Sequence, residues 1–160
     1  MPTIRPARDT DAEGLIALIT AVFDEYPGCV MDVDGEMPEL LAIASWFAAH
    51  DGEFWVAEHG GQVVGCIGYA PAQDPSGIEL KKLYVARSAR EHGLGAQLLA
   101  RVEDAADRRA ARFIDLWSDT RFETAHAFYA RRGWNKTGAT RELHDKSATV
   151  EFYFEKPLTR

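Results

Sequence analysis

Cysteine is scarce in this chain and long hydrophobic runs are missing. Only Cys29 and Cys66 occur among 160 residues; they stand far apart and form no CxxC pair, so they build neither a disulfide framework nor a thiolate metal site. Two isolated thiols suit a reducing compartment, and both read as inert. No window approaches the roughly 18 consecutive apolar residues of a membrane span. The opening MPTIRPARDTD lacks the apolar h-region of a signal peptide. A soluble, cytoplasmic protein with no membrane partner is therefore expected. Metal motifs are lacking as well: the five histidines form no HExxH pair. The segment DVDGEM echoes a calcium loop, but no terminal glutamate follows at the required spacing. Basic charge is also short, with 18 lysines and arginines against 25 aspartates and glutamates, a net −7. That balance disfavours nucleic acid, whose phosphates call for clustered cations, and leaves small-molecule or peptide amines and proteins as partners.

Apolar residues, by contrast, make up 46% of the sequence, enough at this length for one core and one domain spanning 1–160. TIRPA reads as a short strand. Thr10–Glu13, TDAE, has the form of a capping box, and Ala12, Leu15, Ile16, Ile19, Val22 and Phe23 recur behind it at helical spacing. EYPGCVMDVDGEMPE reads as loop, and Leu40, Leu41, Ala44, Phe47 and Ala48 as a second helix entered through Pro38. The period then changes. EFWVAEH and QVVGCIGYA are strands joined by Gly60–Gly61, a hairpin signal. IELKKLYV is a fourth strand in which Leu80 and Leu83 break the alternation; a β-bulge would return both to one face. Next come a helix carrying Leu94, Leu98, Val102 and Ala105, the strand RFIDLWS, the helix ETAHAFYARRG and two final strands. No repeat or linker interrupts the order, which predicts a single mixed α/β domain.

Glycine is placed oddly. In REHGLGAQLLARVE, Gly93 and Gly95 flank Leu94 where an apolar helix begins, although alanine would favour the helix. Either the loop needs positive φ there, or something approaches the backbone too closely for a Cβ. A glycine turn opening a helix suits an anion, because free amides and the helix dipole both point at it. A Walker A loop is excluded, since Ala96 and Gln97 follow Gly95 where Lys-Ser/Thr is needed. A dinucleotide fingerprint is disfavoured by Leu98 at the third glycine position and by the long run from Ala86 to His92 before Gly93. The pattern R/Q-x-x-G-x-G/A between a bulged strand and a helix is filled by Arg90, Gly93 and Gly95. A second pattern, A-x-x-F/L-Y-x-x-x-G-F/W, appears as Ala125, Phe128, Tyr129, Gly133 and Trp134.

With both patterns in order, the chain resembles the GCN5-related N-acetyltransferase (GNAT) superfamily over nearly its whole length. The resemblance implies a mixed sheet of about seven strands, a bulged and splayed fourth strand, and about four helices. It implies acetyl-CoA as co-substrate, its diphosphate on the glycine loop and its pantetheine arm between the fourth and fifth strands. The cofactor residues it implies are Leu83, Tyr84, Val85, Arg90, Glu91, His92, Gly93, Leu94, Gly95 and Ala96, with Arg90 adding charge or shaping the loop. By the same resemblance Tyr129 protonates the leaving thiolate, a core tyrosine packed behind Phe128 being the competing reading, and a bulge amide, that of Leu83, polarises the thioester. Glu79 becomes the candidate base, although a carboxylate merely paired with Lys81 fits that position equally and many members of the family deprotonate through waters instead. Asparagine often stands where this chain has Phe122, so no asparagine role is carried over. Asp32, Asp34, Glu36 and Asp119 are candidate amine-attracting groups, and a solvated acidic loop is the competing reading for the first three. The expected activity is direct transfer of acetyl to a primary amine in a ternary complex. The alternative is a non-catalytic acyl-CoA sensor or partner-binding module. Consecutive Phe152, Tyr153 and Phe154 would bury both strand faces or form a homodimer contact.

Overall fold

Two core clusters, one on each face of a single sheet, organise the molecule. A computed structural model describes residues 1–159. Its strands are β1 (Thr3–Pro6), β2 (Glu53–His59), β3 (Gln62–Pro71), β4 (Ile78–Val85), β5 (Phe113–Asp119), β6 (Asn135–Glu142) and β7 (Val150–Pro157). Its helices are α1 (Ala12–Phe23), α2 (Val33–Glu36), α3 (Ile43–Ala49), α4 (Leu94–Arg108) and α5 (Glu123–Arg131). The sheet runs β1-β2-β3-β4-β5-β7-β6, and every neighbouring pair is antiparallel except β4 and β5. Alternation along β2 shows why two layers of helix are needed. Phe54 and Val56 join Leu15, Ile19, Leu40, Ile43 and Phe47 beneath α1 and α3, whereas Trp55 and Ala57 join Leu98, Val102, Ile114 and Leu116 beneath α4.

The β2–β3 hairpin turns on Gly60 and Gly61, both at positive φ, with His59 opposite Gln62. The bulge in β4 also forms. Cys66 pairs with Tyr84 and Gly68 with Lys81, so Lys82 and Leu83 face the single residue Ile67. Lys82 takes the extra step at φ 58°, and Leu80 and Leu83 both pack on the α4 side. Three details depart from the sequence reading. Thr10–Glu13 is not a capping box: Asp9–Asp11 forms a 3₁₀ turn, and Asp11 accepts the Arg8 amide at 2.7 Å and a forked bond from Arg5 at 2.8 and 2.9 Å. The acidic loop contains the one-turn helix α2, which raises the helix count to five. The segment entered through Pro38 is 3₁₀ up to Ala42 before α3 begins. Among the described residues no helix is long and apolar enough to cross a membrane.

Candidate active site

β4 and β5 are hydrogen-bonded neighbours only at their start. Ile78 pairs with Ile114 and Glu79 with Asp115; beyond that register the two strands part. The bulge at Lys82–Leu83 turns β4 away, and the wedge it opens lies between two cavities. One, of about 390 Å³, runs along β4 to the mouth of α4. The other, of about 500 Å³, opens on the α2–α3 side. Leu83, Tyr84, Phe122 and Ala125 line both.

At the mouth of α4 the polar surface is main chain. The Gln97 amide reaches Gly93 O at 3.0 Å and closes the first turn, so the amides of Leu94, Gly95 and Ala96 precede the first rung of the ladder. A 15-residue helix adds its dipole at that end. The two glycines do different jobs. Gly93 is left-handed at φ +79° and a Cβ there would stand in open space, so the turn itself demands glycine. A Cβ on Gly95 would meet the Phe128 ring at 3.3 Å, so this glycine lets α5 close against α4. Low amides exposed to an anion therefore belong to the Gly93 turn. Free amides, an unfilled space beside them and a dipole make a cradle that fits a diphosphate.

Arg90 resolves in favour of shaping. Its guanidinium grips Glu25 with bonds of 2.6 and 2.8 Å, and Nε donates to Val85 O at 3.1 Å. The end of β4 is thereby tied to the turn after α1, and the charge of Arg90 is committed to Glu25. The sequence reading missed the cations that do face this groove, Arg131 and Arg132 at the end of α5, the latter stacked 3.8 Å over Phe128. Leu83, Tyr84, Val85, Arg90, Glu91, Gly93, Leu94, Gly95 and Ala96 all line the groove, while His92 is exposed and does not.

The second cavity is built from side chains. Glu36, Glu39, Glu79, Asp119, Asp145 and Glu151 line it against only Lys81, Lys82 and Arg141. Glu79 stands at the vertex of the wedge, its Oε2 accepting from Lys81 at 3.2 Å. Lys82 pairs with Glu39 at 2.8 Å, which ties the bulge to the Pro38–Ala42 turn. Asp119 lines the cleft, yet both its oxygens are engaged by Arg121, at 2.9 Å to the amide and Nε and 2.8 Å to Nη2. Asp32 caps α2 and pairs with Lys146 at 3.5 Å, Glu36 accepts the Lys146 amide at 3.0 Å, and Asp34 is exposed and outside the lining.

Tyr129 is 4% exposed and lines the cleft from α5, among Phe128, Trp134 and Phe154. Burial alone pushes its phenol upward, so it carries its proton at neutral pH. Glu151 on β7, a neighbour of Asp119, was invisible in the sequence. Burial pushes its carboxyl above the ordinary glutamate range, and Arg141, donating at 2.7 Å, pulls it back only in part. Ser118 lies 3.1 Å from His126 Nε2, and burial lowers that imidazole, leaving it neutral at pH 7. Cys29 also lines the cleft with its thiol raised by burial, and Cys66 is pushed up to about 12, so neither is a ready thiolate.

A latch joins two loops beside the cleft. The Val30 amide donates to Ser147 Oγ at 2.8 Å, and that hydroxyl donates back to Val30 O at 3.2 Å. Lys146 adds its contacts to Glu36 and Asp32. The acidic loop and the β6–β7 loop, far apart in sequence, thus form one rim. Among the described residues no group of three or more His, Cys, Asp or Glu is arranged to hold a metal.

Known proteins resemble this chain in sequence and in fold. IAA acetyltransferase of Azospirillum brasilense is 28% identical over 158 residues, 99% of this chain and 100% of that protein. Probable N-acetyltransferase 14 of Xenopus tropicalis is 31% identical over 102 residues, 63% of this chain; the match spans only 50% of that relative's length. The crystal structure of PaiA N-acetyltransferase from Thermoplasma acidophilum in complex with coenzyme A superposes with a TM-score of 0.76 at 17% identity, covering 99% of both chains. The model of the acetyltransferase (GNAT) family matches residues 16–134, and the chain belongs to that family.

Proposed function

We propose that this protein transfers an acetyl group from acetyl-CoA to a primary amine by direct attack within a ternary complex. The observation that carries the reading is the wedge between β4 and β5, which joins an anion-binding helix mouth to a carboxylate-lined cleft through four shared residues. The amides of Leu94, Gly95 and Ala96 hold the diphosphate, with Arg131 and Arg132 alongside. The pantetheine arm lies along the unpaired edge of β4, where the Leu83 amide at the bulge polarises the thioester carbonyl.

An aliphatic amine arrives as an ammonium ion, and the net negative cleft favours its entry. Glu79 takes the proton at the vertex of the wedge. The neutral nitrogen then forms the new C–N bond, the C–S bond breaks, the thiolate takes the proton of Tyr129, and the second proton lost by the nitrogen restores that phenol. The buried phenol suits that role because it still carries its proton at neutral pH as charge develops on the sulfur; the thiolate is the weaker base, so the transfer is completed by the nitrogen's proton refilling the phenol. Ser118 and His126 offer a path by which protons reach solvent behind α5.

Following free thiol while acetyl-CoA is incubated with a panel of amines tests the reading. Amine-dependent thiol release is expected, and Tyr129→Phe should cut kcat by about 100-fold, the usual worth of a positioned acid, with far less change in acetyl-CoA affinity. Tight acetyl-CoA binding with no amine-dependent release across the panel would favour a sensor instead.

A further inference from the structure

We propose that Phe122 sets the length of acyl chain this protein accepts, restricting it to acetyl and chains scarcely longer; the inference rests on the transferase reading above. Where the two cavities meet, the lining is Leu83 and Tyr84 from β4 with Phe122 and Ala125 from the start of α5. The thioester has to stand at this junction, because the arm enters from one cavity and the amine from the other. Its acyl group therefore meets these four side chains. Ala125 is small, and Leu83 turns into the α4-side core. The bulk that closes the throat is Tyr84 and Phe122.

Both rings are held in place. Phe122 packs on Tyr26 with centroids 4.8 Å apart and on Phe23 at 6.2 Å, and Tyr84 meets Phe23 edge-on at 6.1 Å and Phe122 at 6.5 Å. Four aromatic side chains from α1, the turn after it, β4 and the α5 entrance thus form one wall, and Phe122 touches the other three. Phe122 stands at the N-cap of α5, so the helix start fixes where its ring enters the throat. Removing it leaves room for several methylenes between Tyr26 and Tyr84, whereas the intact wall meets a longer chain with rigid, close-packed carbon.

The test needs no acceptor. Affinities for acetyl-CoA, butyryl-CoA and hexanoyl-CoA are measured by calorimetry on the full chain, for the wild type and Phe122→Ala, with Phe122→Leu as the variant that keeps most of the apolar packing. The wild type should bind hexanoyl-CoA at least about tenfold more weakly than acetyl-CoA, in line with what pocket size discriminates per methylene. Phe122→Ala should bring that ratio to about one or invert it, and Phe122→Leu should fall between. Equal wild-type affinities, or a ratio unmoved in a folded variant that binds acetyl-CoA, would overturn the inference and leave the transferase reading standing. A wild type that binds none of the three would remove the transferase reading, and this inference with it.

Discussion

The cofactor groove draws its free amides from one nearly continuous stretch, Leu83 to Ala96, with Arg131 and Arg132 added at the end of α5, whereas the acceptor cleft takes its polar surface from side chains on β4, β5, β6, β7 and two loops more than a hundred residues apart. The contrast follows from what each half has to hold. A diphosphate is the same in every acyl-CoA, so amides at a helix mouth recognise it through geometry that any sequence with the right glycine turn supplies. An amine differs from one acceptor to the next, and its recognition rests on charge placed by tertiary packing. The two halves should therefore fail differently when perturbed.

The largest separation is expected from Gly95→Glu. Its Cβ presses on the Phe128 ring at 3.3 Å, and its carboxylate adds negative charge in the first turn of α4. Acetyl-CoA affinity measured by calorimetry should drop by about 100-fold or more, the scale of one lost charge-assisted contact plus an added like charge. Retained affinity would move the diphosphate away from the helix mouth. The acceptor rim lies beyond the wedge, so the Val30–Ser147 contact should survive in a crystal structure of the variant.

This contrast also decides what could be read from the sequence. Arg90, Gly93 and Gly95 are close neighbours in the chain, so their spacing alone announced the turn; even so, it could not say that Gly95 answers to Phe128 or that Arg90 is committed to Glu25, because both partners come from other elements. The bulge was legible because Leu80 and Leu83 sit three apart on a strand that alternates by two. Glu151 was not legible: it lies in an aromatic strand, and its importance arises only when β7 inserts beside β5 and brings it to Asp119. Likewise Asp32, Asp34 and Glu36 look alike in DVDGE. The fold separates them into a cap, an exposed side chain and a docking point for Lys146.

Glu151→Gln perturbs the other half, by an intermediate amount. Losing one of the cleft's carboxylates should lower kcat/KM for the amine by about tenfold, within the range for a partly buried charge contact, with acetyl-CoA affinity nearly unmoved. Stability should go the opposite way. Because the folded carboxyl sits above its unfolded value near 4.5, the unfolded chain releases this proton first as pH rises. The wild type then loses stability from about pH 4.5 up through the raised folded value. Glutamine removes that loss, so the variant should have a higher Tm than the wild type at pH 7 and show no gain at pH 4. A lower Tm at neutral pH would mean that the bond to Arg141 outweighs the cost of burying the charge.

The smallest effect expected is that of Ser147→Ala, which reaches the rim without touching a cleft charge. Ser147 is 7% exposed, and its hydroxyl both accepts from and donates to Val30. Val30 itself is 42% exposed, so water can replace the lost acceptor, and alanine should cost about 0.5–1 kcal/mol, or roughly 1–4 °C in Tm for a chain of this size. The rim should loosen while the β4–β5 wedge stays put, because no bond of the latch involves either strand. Amine KM should then rise by about threefold, a little under 1 kcal/mol, with kcat and acetyl-CoA affinity holding. If acetyl-CoA affinity fell in parallel with the amine, the rim and the helix mouth would be one cooperative unit, and the division between a main-chain half and a side-chain half would be a description of composition rather than of mechanics.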